Sequence, residues 1–192
     1  MKKTVCAMTA ICIMMAFAGI ISAQQASVSA QDKKFVEEAA TGSMMEVRLG
    51  EIASQKAENE EVKNFAQTMI NDHGKASDEL KTIAQQKGIE VPQELNKKQQ
   101  KKIDTLSQLS GMEFDRAYMD EMVKDHQKDV KAFRKQAEKG RDPDLKNFAA
   151  TTADTLEQHL ELAKNINQEQ VRGYYGDKEK KQKKTQKQDQ NK

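Results

Sequence analysis

Apolar residues recur every three or four positions through the first half of this 192-residue chain, which is the period of one helix face. One stretch runs over residues 35–57, and a second follows Asn59, a residue type that caps helix N-termini. Gly88 ends the second stretch. The two predicted stripes are Val36, Ala39, Ser43, Glu46, Gly50, Ala53 and Ala57, and then Val62, Ala66, Met69, His73, Ala76, Leu80 and Ile83.

The second half of the chain continues the helical pattern. We expect a short helix over about residues 94–109 and a long helix from Gly111 to Lys139, with Ser110 and Glu113 at the spacing of a capping box. Asp142 should cap a last helix that has a proline at its first position. The stripes are Asp115, Met119, Met122, His126, Val130, Phe133 and Ala137, and then Leu145, Phe148, Thr152, Leu156, His159, Ala163 and Ile166.

This pattern predicts an all-α fold. Four amphipathic helices over residues 33–168 would form an antiparallel four-helix bundle, with a short extra helix between helices two and three. The composition agrees, because two prolines, nine glycines and 5% aromatic residues leave little for the turns and strands of an all-β fold. A charged fraction of 32% suits narrow helices with wide solvated faces.

Residues 1–23 are typical of a signal peptide. Lys2 and Lys3 precede an apolar stretch, and Ser22-Ala23 ends a small-residue cleavage site; Val28-Ser29-Ala30 is a second candidate. The alternative is an uncleaved membrane anchor, for which the apolar stretch is short. We therefore predict an exported protein, in the periplasm or associated with the cell envelope. Both cysteines lie in the leader, so the mature chain has no disulfide and no thiolate metal site.

Residues 172–192 lose the apolar period, and we predict a disordered tail rich in Lys and Gln. The tail carries eight basic and three acidic side chains, whereas the body has an acidic excess. One interpretation is a solvated terminus that aids solubility, and the other is a polycation attracted to anionic surfaces of the envelope. No nucleic-acid partner is expected, because the basic residues are not interleaved with aromatic ones.

The chain has three histidines, and all three fall on predicted core-facing stripes. Imidazole and carboxylate groups that project inward from four helices can hold a transition metal ion. Alternatively, the same groups can satisfy one another as a buried hydrogen-bond network that fixes helix register. The candidate metal ligands are Glu46, His73, Asp115, His126 and His159.

A weak internal repeat surrounds two of these histidines. An aromatic residue, a methionine, an Asp-His pair and a lysine recur with the same spacing around Asp72-His73 and Asp125-His126. The two aspartates lie about 100° round the helix from their histidines, so we interpret them as orienting or solvating residues rather than ligands. The methionines of the stripes are interpreted as core residues.

These residues resemble a known family. The runs Phe35 to Ala53 and Val62 to Lys75, followed by Phe114-Asp115, Asp125-His126 and Leu156-Glu-Gln-His159, are similar to the bacterial exported family catalogued as domain of unknown function 4142. The resemblance covers about residues 33–168. It implies a ferritin-like four-helix bundle, often labelled a membrane or outer-membrane protein, without an assigned activity.

Ferritin-like di-iron proteins carry a Glu-x-x-His motif on each of two helices. This chain departs from that motif, because Ile70, Val123 and Leu156 stand three residues before the histidines. A di-iron oxidase or ferroxidase is therefore disfavoured, while a mononuclear site is not. The sequence also has no nucleophile elbow and no glycine-rich phosphate loop. Sequence alone thus favours a non-enzymatic envelope or stress-related binding module with a structural His/acid network, and metal binding with redox activity is the alternative.

Overall fold

The computed structural model describes residues 28–173 and Gly176, and every regular element among them is helical. The predicted all-α class is confirmed. The predicted leader, 1–23, lies outside the described residues, and so does the predicted tail apart from Arg172, Gly173 and Gly176. No described helix combines the length and apolar character needed to cross a membrane. The elements are α1 (Ala30–Lys56), α2 (Glu60–Gln86), α3 (Lys97–Ser107), α4 (Gly111–Lys139), α5 (Pro143–Asn165) and a π-helix (Ile166–Gly173).

Two of the predicted helix caps are confirmed. The Asn59 side chain accepts from the backbone N–H groups of Glu61 and Val62 at the start of α2. Asp142 accepts in the same way from the first turn of α5. These side-chain oxygens satisfy N–H groups that have no partner within the helix. The sequence pattern therefore located both of these helix starts.

Other helix starts differ from the prediction. The capping box at Ser110 is wrong: Ser110 makes no side-chain capping hydrogen bond, and α4 begins at Gly111 with φ of 58°. The first helix begins five residues before Phe35, because the Ser29 side chain accepts from the backbone of Asp32 and caps an additional turn. A capping box does occur, but it lies at α3 and uses Asn96.

The four long helices pack as two hairpins. Short loops join α1 to α2 and α4 to α5, so the two helices of each hairpin are antiparallel. The hairpins meet where α1 packs on α4 and α2 packs on α5. The segment between α2 and α4 runs along the length of the bundle, because α2 ends at one end and α4 begins at the other. This segment carries α3, which packs on α1 and α4.

The apolar core is divided into two clusters along the bundle. One cluster combines the C-terminal halves of α1 and α5 with the N-terminal halves of α2 and α4. The other combines the opposite halves of the same helices and includes Phe35, Phe133 and Phe148, whose rings contact one another. Between the two clusters, near the middle of the bundle, lie buried polar side chains from all four long helices.

Asp32 connects the start of α1 to the loop between α4 and α5. Its carboxylate accepts from Gln136 Nε2 at 2.6 Å, from the backbone N–H of Arg141 at 3.2 Å and from Ser29 Oγ at 2.7 Å. Asp32 is fully buried. Burial alone would raise its pKa, but the hydrogen bonds outweigh burial and lower the pKa. The charged carboxylate therefore stabilises this end of the bundle.

We predict that Asp32→Asn lowers the free energy of unfolding by about 1–3 kcal/mol near neutral pH, because the amide cannot accept all three hydrogen bonds. Since the folded pKa is depressed, the stabilisation is present above the unfolded pKa of about 3.9 and is lost as the pH falls through the folded value. Urea unfolding at pH 7 and below pH 4 measures this difference. Glu37→Gln, at an exposed position of α1, is the control, and an equal effect of both substitutions would contradict the prediction.

Candidate metal centre

One buried polar side chain from each long helix reaches the layer between the two apolar clusters. Glu46 comes from α1, His73 from α2, His126 from α4 and His159 from α5. None of the four is more than 5% exposed. Each occupies a stripe position, so the periodicity that buries apolar residues on either side also turns these polar groups inward.

The three imidazole rings converge on one another. Their centroids are 5.4–5.5 Å apart in all three pairs. Each ring offers one nitrogen, and these three atoms lie within 4.8 Å of one another. Rings spread along the bundle axis could not share one ion. The observed distances are compatible with a shared site.

One nitrogen of each ring is held by a hydrogen-bond acceptor. His73 Nδ1 lies 2.9 Å from Glu46 Oε2, and His126 Nδ1 lies 2.9 Å from the backbone oxygen of Met122. His159 Nε2 lies 3.0 Å from Asp72 Oδ2. Because carboxylate and carbonyl oxygens only accept, each of these nitrogens donates its hydrogen. In a neutral ring, the other nitrogen then carries a lone pair.

Those other nitrogens have no partner. His73 Nε2, His126 Nε2 and His159 Nδ1 are buried and make no hydrogen bond to any described residue. A buried polar atom without a partner costs free energy, and native cores rarely leave several together. Three of them on three converging rings form a set of nitrogen donors suited to a cation.

Glu46 lies behind two of the rings. Besides the contact with His73, its Oε1 is 3.5 Å from His126 Nδ1. Burial would raise the pKa of Glu46, but the charges of His73 and His126 outweigh it and lower the pKa to about 2. Glu46 is therefore a carboxylate at neutral pH; it orients the His73 ring by a hydrogen bond and lies within charge-contact distance of His126.

The three histidines differ in their proton affinity. Burial lowers the pKa of His126, and it also lowers that of His159, to about 4. For His73, burial acts in the same direction, but the charge and hydrogen bond of Glu46 prevail and raise its pKa. His126 and His159 are thus neutral at pH 7, which is the form that binds a metal ion.

Two further polar groups approach the centre. Asp129 follows His126 by three residues on α4, and burial followed by the charge of Glu46 raises its pKa to about 7. Tyr118 is fully buried, its hydroxyl has no partner among the described residues, and burial and Glu46 raise its pKa. Asp129 is not among the candidate residues from the sequence. Its position one helical turn after His126 places it on the same helix face and could have indicated it.

The structure does not bring Asp115 to this centre. Its two carboxylate oxygens accept from the backbone N–H groups of Glu58 and Asn59, at 3.2 and 2.9 Å. Asp115 thus holds the loop between α1 and α2, three helical turns from His126, or about 16 Å along α4. Asp125, the aspartate of the second Asp-His pair, contacts the ammonium group of Lys102 on α3.

A cleft of about 360 Å³ leads from the surface to the edge of the centre. Glu46 and His73 form part of its inner lining. Gly42 and Asp129 line the cleft one helical turn further along α1 and α4. The apolar wall of the cleft comes mainly from Phe35, Ala39, Met45, Phe133 and Leu156.

Comparison with known protein families gives a match over residues 20–166 to the family described as Domain of unknown function (DUF4142). The chain belongs to this family. The resemblance seen in the sequence is therefore confirmed, and membership carries no assigned activity. A comparison with curated proteins gives no match.

Solved structures with the same fold have low sequence identity. A DUF305 fragment from Deinococcus radiodurans has a TM-score of 0.65 at 13% identity, over 73% of this chain and 97% of that chain. CopM in its Cu(I)-bound form has a TM-score of 0.61 at 22% identity, over 71% and 95%. A DUF305 protein from Streptomyces coelicolor has a TM-score of 0.61 at 14% identity, over 71% and 91%. At these identities the likeness shows a common helical fold.

We predict that Glu46→Ala lowers the free energy of unfolding of the metal-free protein by about 3–5 kcal/mol, because it breaks the buried Glu46–His73 pair and leaves the His73 N–H without its acceptor. Urea unfolding measures the change. Glu51→Ala, at an exposed position of the same helix, is the matched control and should change stability by less than about 0.5 kcal/mol. Similar losses for both variants would show that Glu46 does not hold the layer together.

Proposed function

We propose that this protein binds one transition metal ion in the middle of its helical bundle, through His73 Nε2, His126 Nε2 and His159 Nδ1. The observation that carries the proposal is that these three nitrogens are buried and have no partner among the described residues, on three rings that each offer a ligand nitrogen within 4.8 Å of the other two. Nitrogens bound to one ion at about 2.1 Å lie roughly 3.4–3.6 Å apart, so small ring movements would bring them to a common ion.

The surroundings of the rings support metal binding over a purely structural network. Metal-binding histidines usually donate their other ring N–H to a carboxylate or a backbone carbonyl, which fixes the tautomer and orients the ring. Each of these histidines has such an acceptor: Glu46, the Met122 carbonyl or Asp72. A self-sufficient network would instead pair the inward nitrogens with donors.

Copper is the first candidate for the ion. Neutral imidazoles suit copper, zinc, nickel and iron, and among divalent ions copper binds a given nitrogen site most tightly. One structural neighbour, CopM, is described in Cu(I)-, Cu(II)- and Ag-bound forms. A di-iron centre is disfavoured, because the carboxylates of Glu46 and Asp72 contact the rings at nitrogens that donate a hydrogen and not at the unpaired nitrogens.

The first test measures copper uptake by the wild-type protein and by a variant that lacks one histidine. The purified metal-free protein should take up one equivalent of Cu²⁺, and saturation should raise its melting temperature. His126→Ala should abolish stoichiometric uptake, because it removes one of three donors. Elemental analysis and titration calorimetry measure both results. Substoichiometric copper and zinc in the wild-type protein, with no thermal stabilisation by either ion, would overturn the proposal and favour the structural interpretation.

A second prediction leaves all three donors in place. Asp72→Asn should weaken metal binding about 10- to 100-fold, because Asp72 holds the outward N–H of His159. Asp78→Asn is the matched control on the same helix, since the Asp78 side chain is 82% exposed and pairs with the exposed Lys81. Competition with a chelator measures the affinities. Equal affinities for the two variants would contradict the assigned role of Asp72.

Four further expectations from the sequence concern the type of bundle, export, the absence of enzymatic activity and the basic tail. We propose that the bundle is ferritin-like, and the long segment between α2 and α4 supports this, because ferritin-like bundles have one long crossover connection. The leader supports export to the periplasm or cell envelope. We propose a non-enzymatic binding role, with the basic tail in weak contact with the anionic envelope surface.

A further inference from the structure

The cleft between α1 and α4 connects solvent to the proposed metal centre. Of the four residues in the buried layer, Glu46 and His73 line this cleft, whereas His126 and His159 do not. His126 is fully buried, so an ion cannot reach it directly from solvent. The cleft of about 360 Å³ therefore exposes one edge of the centre, at His73.

Gly42 lies where the cleft approaches the centre. It precedes Glu46 by one helical turn, and a Cβ added at Gly42 would have its nearest neighbour, Asp129 Oδ2, at 4.0 Å. The space beside Gly42 is thus open up to the Asp129 carboxylate. Glycine in the interior of a helix costs about 0.5–1 kcal/mol relative to alanine, so Gly42 does not stabilise α1.

Asp129 places a carboxylate at the same narrow point. It lines the cleft opposite Gly42, and it follows His126 by one turn of α4. Of the four lysines that line the cleft, Lys98, Lys124 and Lys128 are exposed to solvent. The half-buried Lys102 is paired with Glu121 and Asp125. A cation that passes inward would therefore meet a carboxylate immediately before the imidazoles, and carboxylate oxygens attract and transiently coordinate such ions.

We propose that the α1–α4 cleft is the path by which the metal ion enters and leaves the histidine centre, with Gly42 keeping its inner end open and Asp129 passing the ion inward. This inference rests on the proposed metal binding and adds the route to it. The alternative route lies on the opposite side, where the Asp72 side chain is 34% exposed beside His159.

The test separates rates from affinity. Gly42→Leu would fill the inner end of the cleft without touching a metal donor, so both uptake and release of Cu²⁺ should slow by about tenfold or more while the dissociation constant changes less than about twofold. Stopped-flow quenching of tyrosine fluorescence follows uptake, since the chain has no tryptophan. Transfer of bound copper to excess EDTA follows release.

Matched variants control for the effect of replacing a helical glycine and for the size of the new side chain. Gly74→Leu changes a glycine of α2 that has no atom within 4 Å of an added Cβ, and it should leave both rates unchanged. Gly42→Ala should give an intermediate slowing with an unchanged or higher melting temperature. Measured at pH 8, above the Asp129 pKa of about 7, Asp129→Asn should slow uptake about three- to tenfold, because the variant lacks the carboxylate charge.

The outcomes distinguish failure of the metal site from failure of the proposed path. If the wild-type protein binds neither copper nor zinc, the proposed function fails and no bound ion uses the path. If the wild-type protein binds copper but Gly42→Leu exchanges it at the wild-type rate, the metal centre stands and the α1–α4 path is overturned. Faster exchange in Asp72→Asn combined with unchanged rates in Gly42→Leu would assign the route to the α2–α5 side.

Discussion

The bundle depends on one interaction: the burial of a single carboxylate, Glu46, against imidazoles from two other helices. Removing such a charge from water costs several kcal/mol, which only close partners can offset. Glu46 has those partners only when α1, α2 and α4 lie at matching heights. A shift of any helix by one residue would rotate its polar group by about 100° and leave it unpaired. The polar layer thereby fixes the register of the apolar clusters on both sides.

The helices and their inward faces could be predicted because periodicity is a local property. The stripes that contain Glu46, His73, His126 and His159 follow from spacings of three and four residues alone. The relative heights of the helices are not local, since they depend on loops and on packing between helices. Asp115 shows the difference: it shares a helix face with His126, yet it lies three turns away and binds the loop before α2.

The partners of the imidazoles were even less visible in the sequence. The two Asp-His pairs look equivalent, but Asp72 holds His159 on another helix, while Asp125 binds Lys102 of α3. The third acceptor is the backbone oxygen of Met122, and side-chain patterns carry no information about a carbonyl. Ser110 is a similar case. Its spacing from Glu113 fits a capping box, but Gly111 adopts a left-handed conformation and the Ser110 side chain makes no capping hydrogen bond.

The same layer bears on the two interpretations of its histidines, a structural network and a metal site. A structural network gains stability by pairing its polar atoms, and the outer nitrogens of all three rings are paired in this way. The inner nitrogens have no partner among the described residues, and the three rings that carry them converge where four helices meet. For neutral rings, this arrangement collects three lone pairs in a buried space without a donor, which costs free energy unless a cation occupies it. The layer therefore supports the proposed metal site, since one bound ion would satisfy all three of these nitrogens at once.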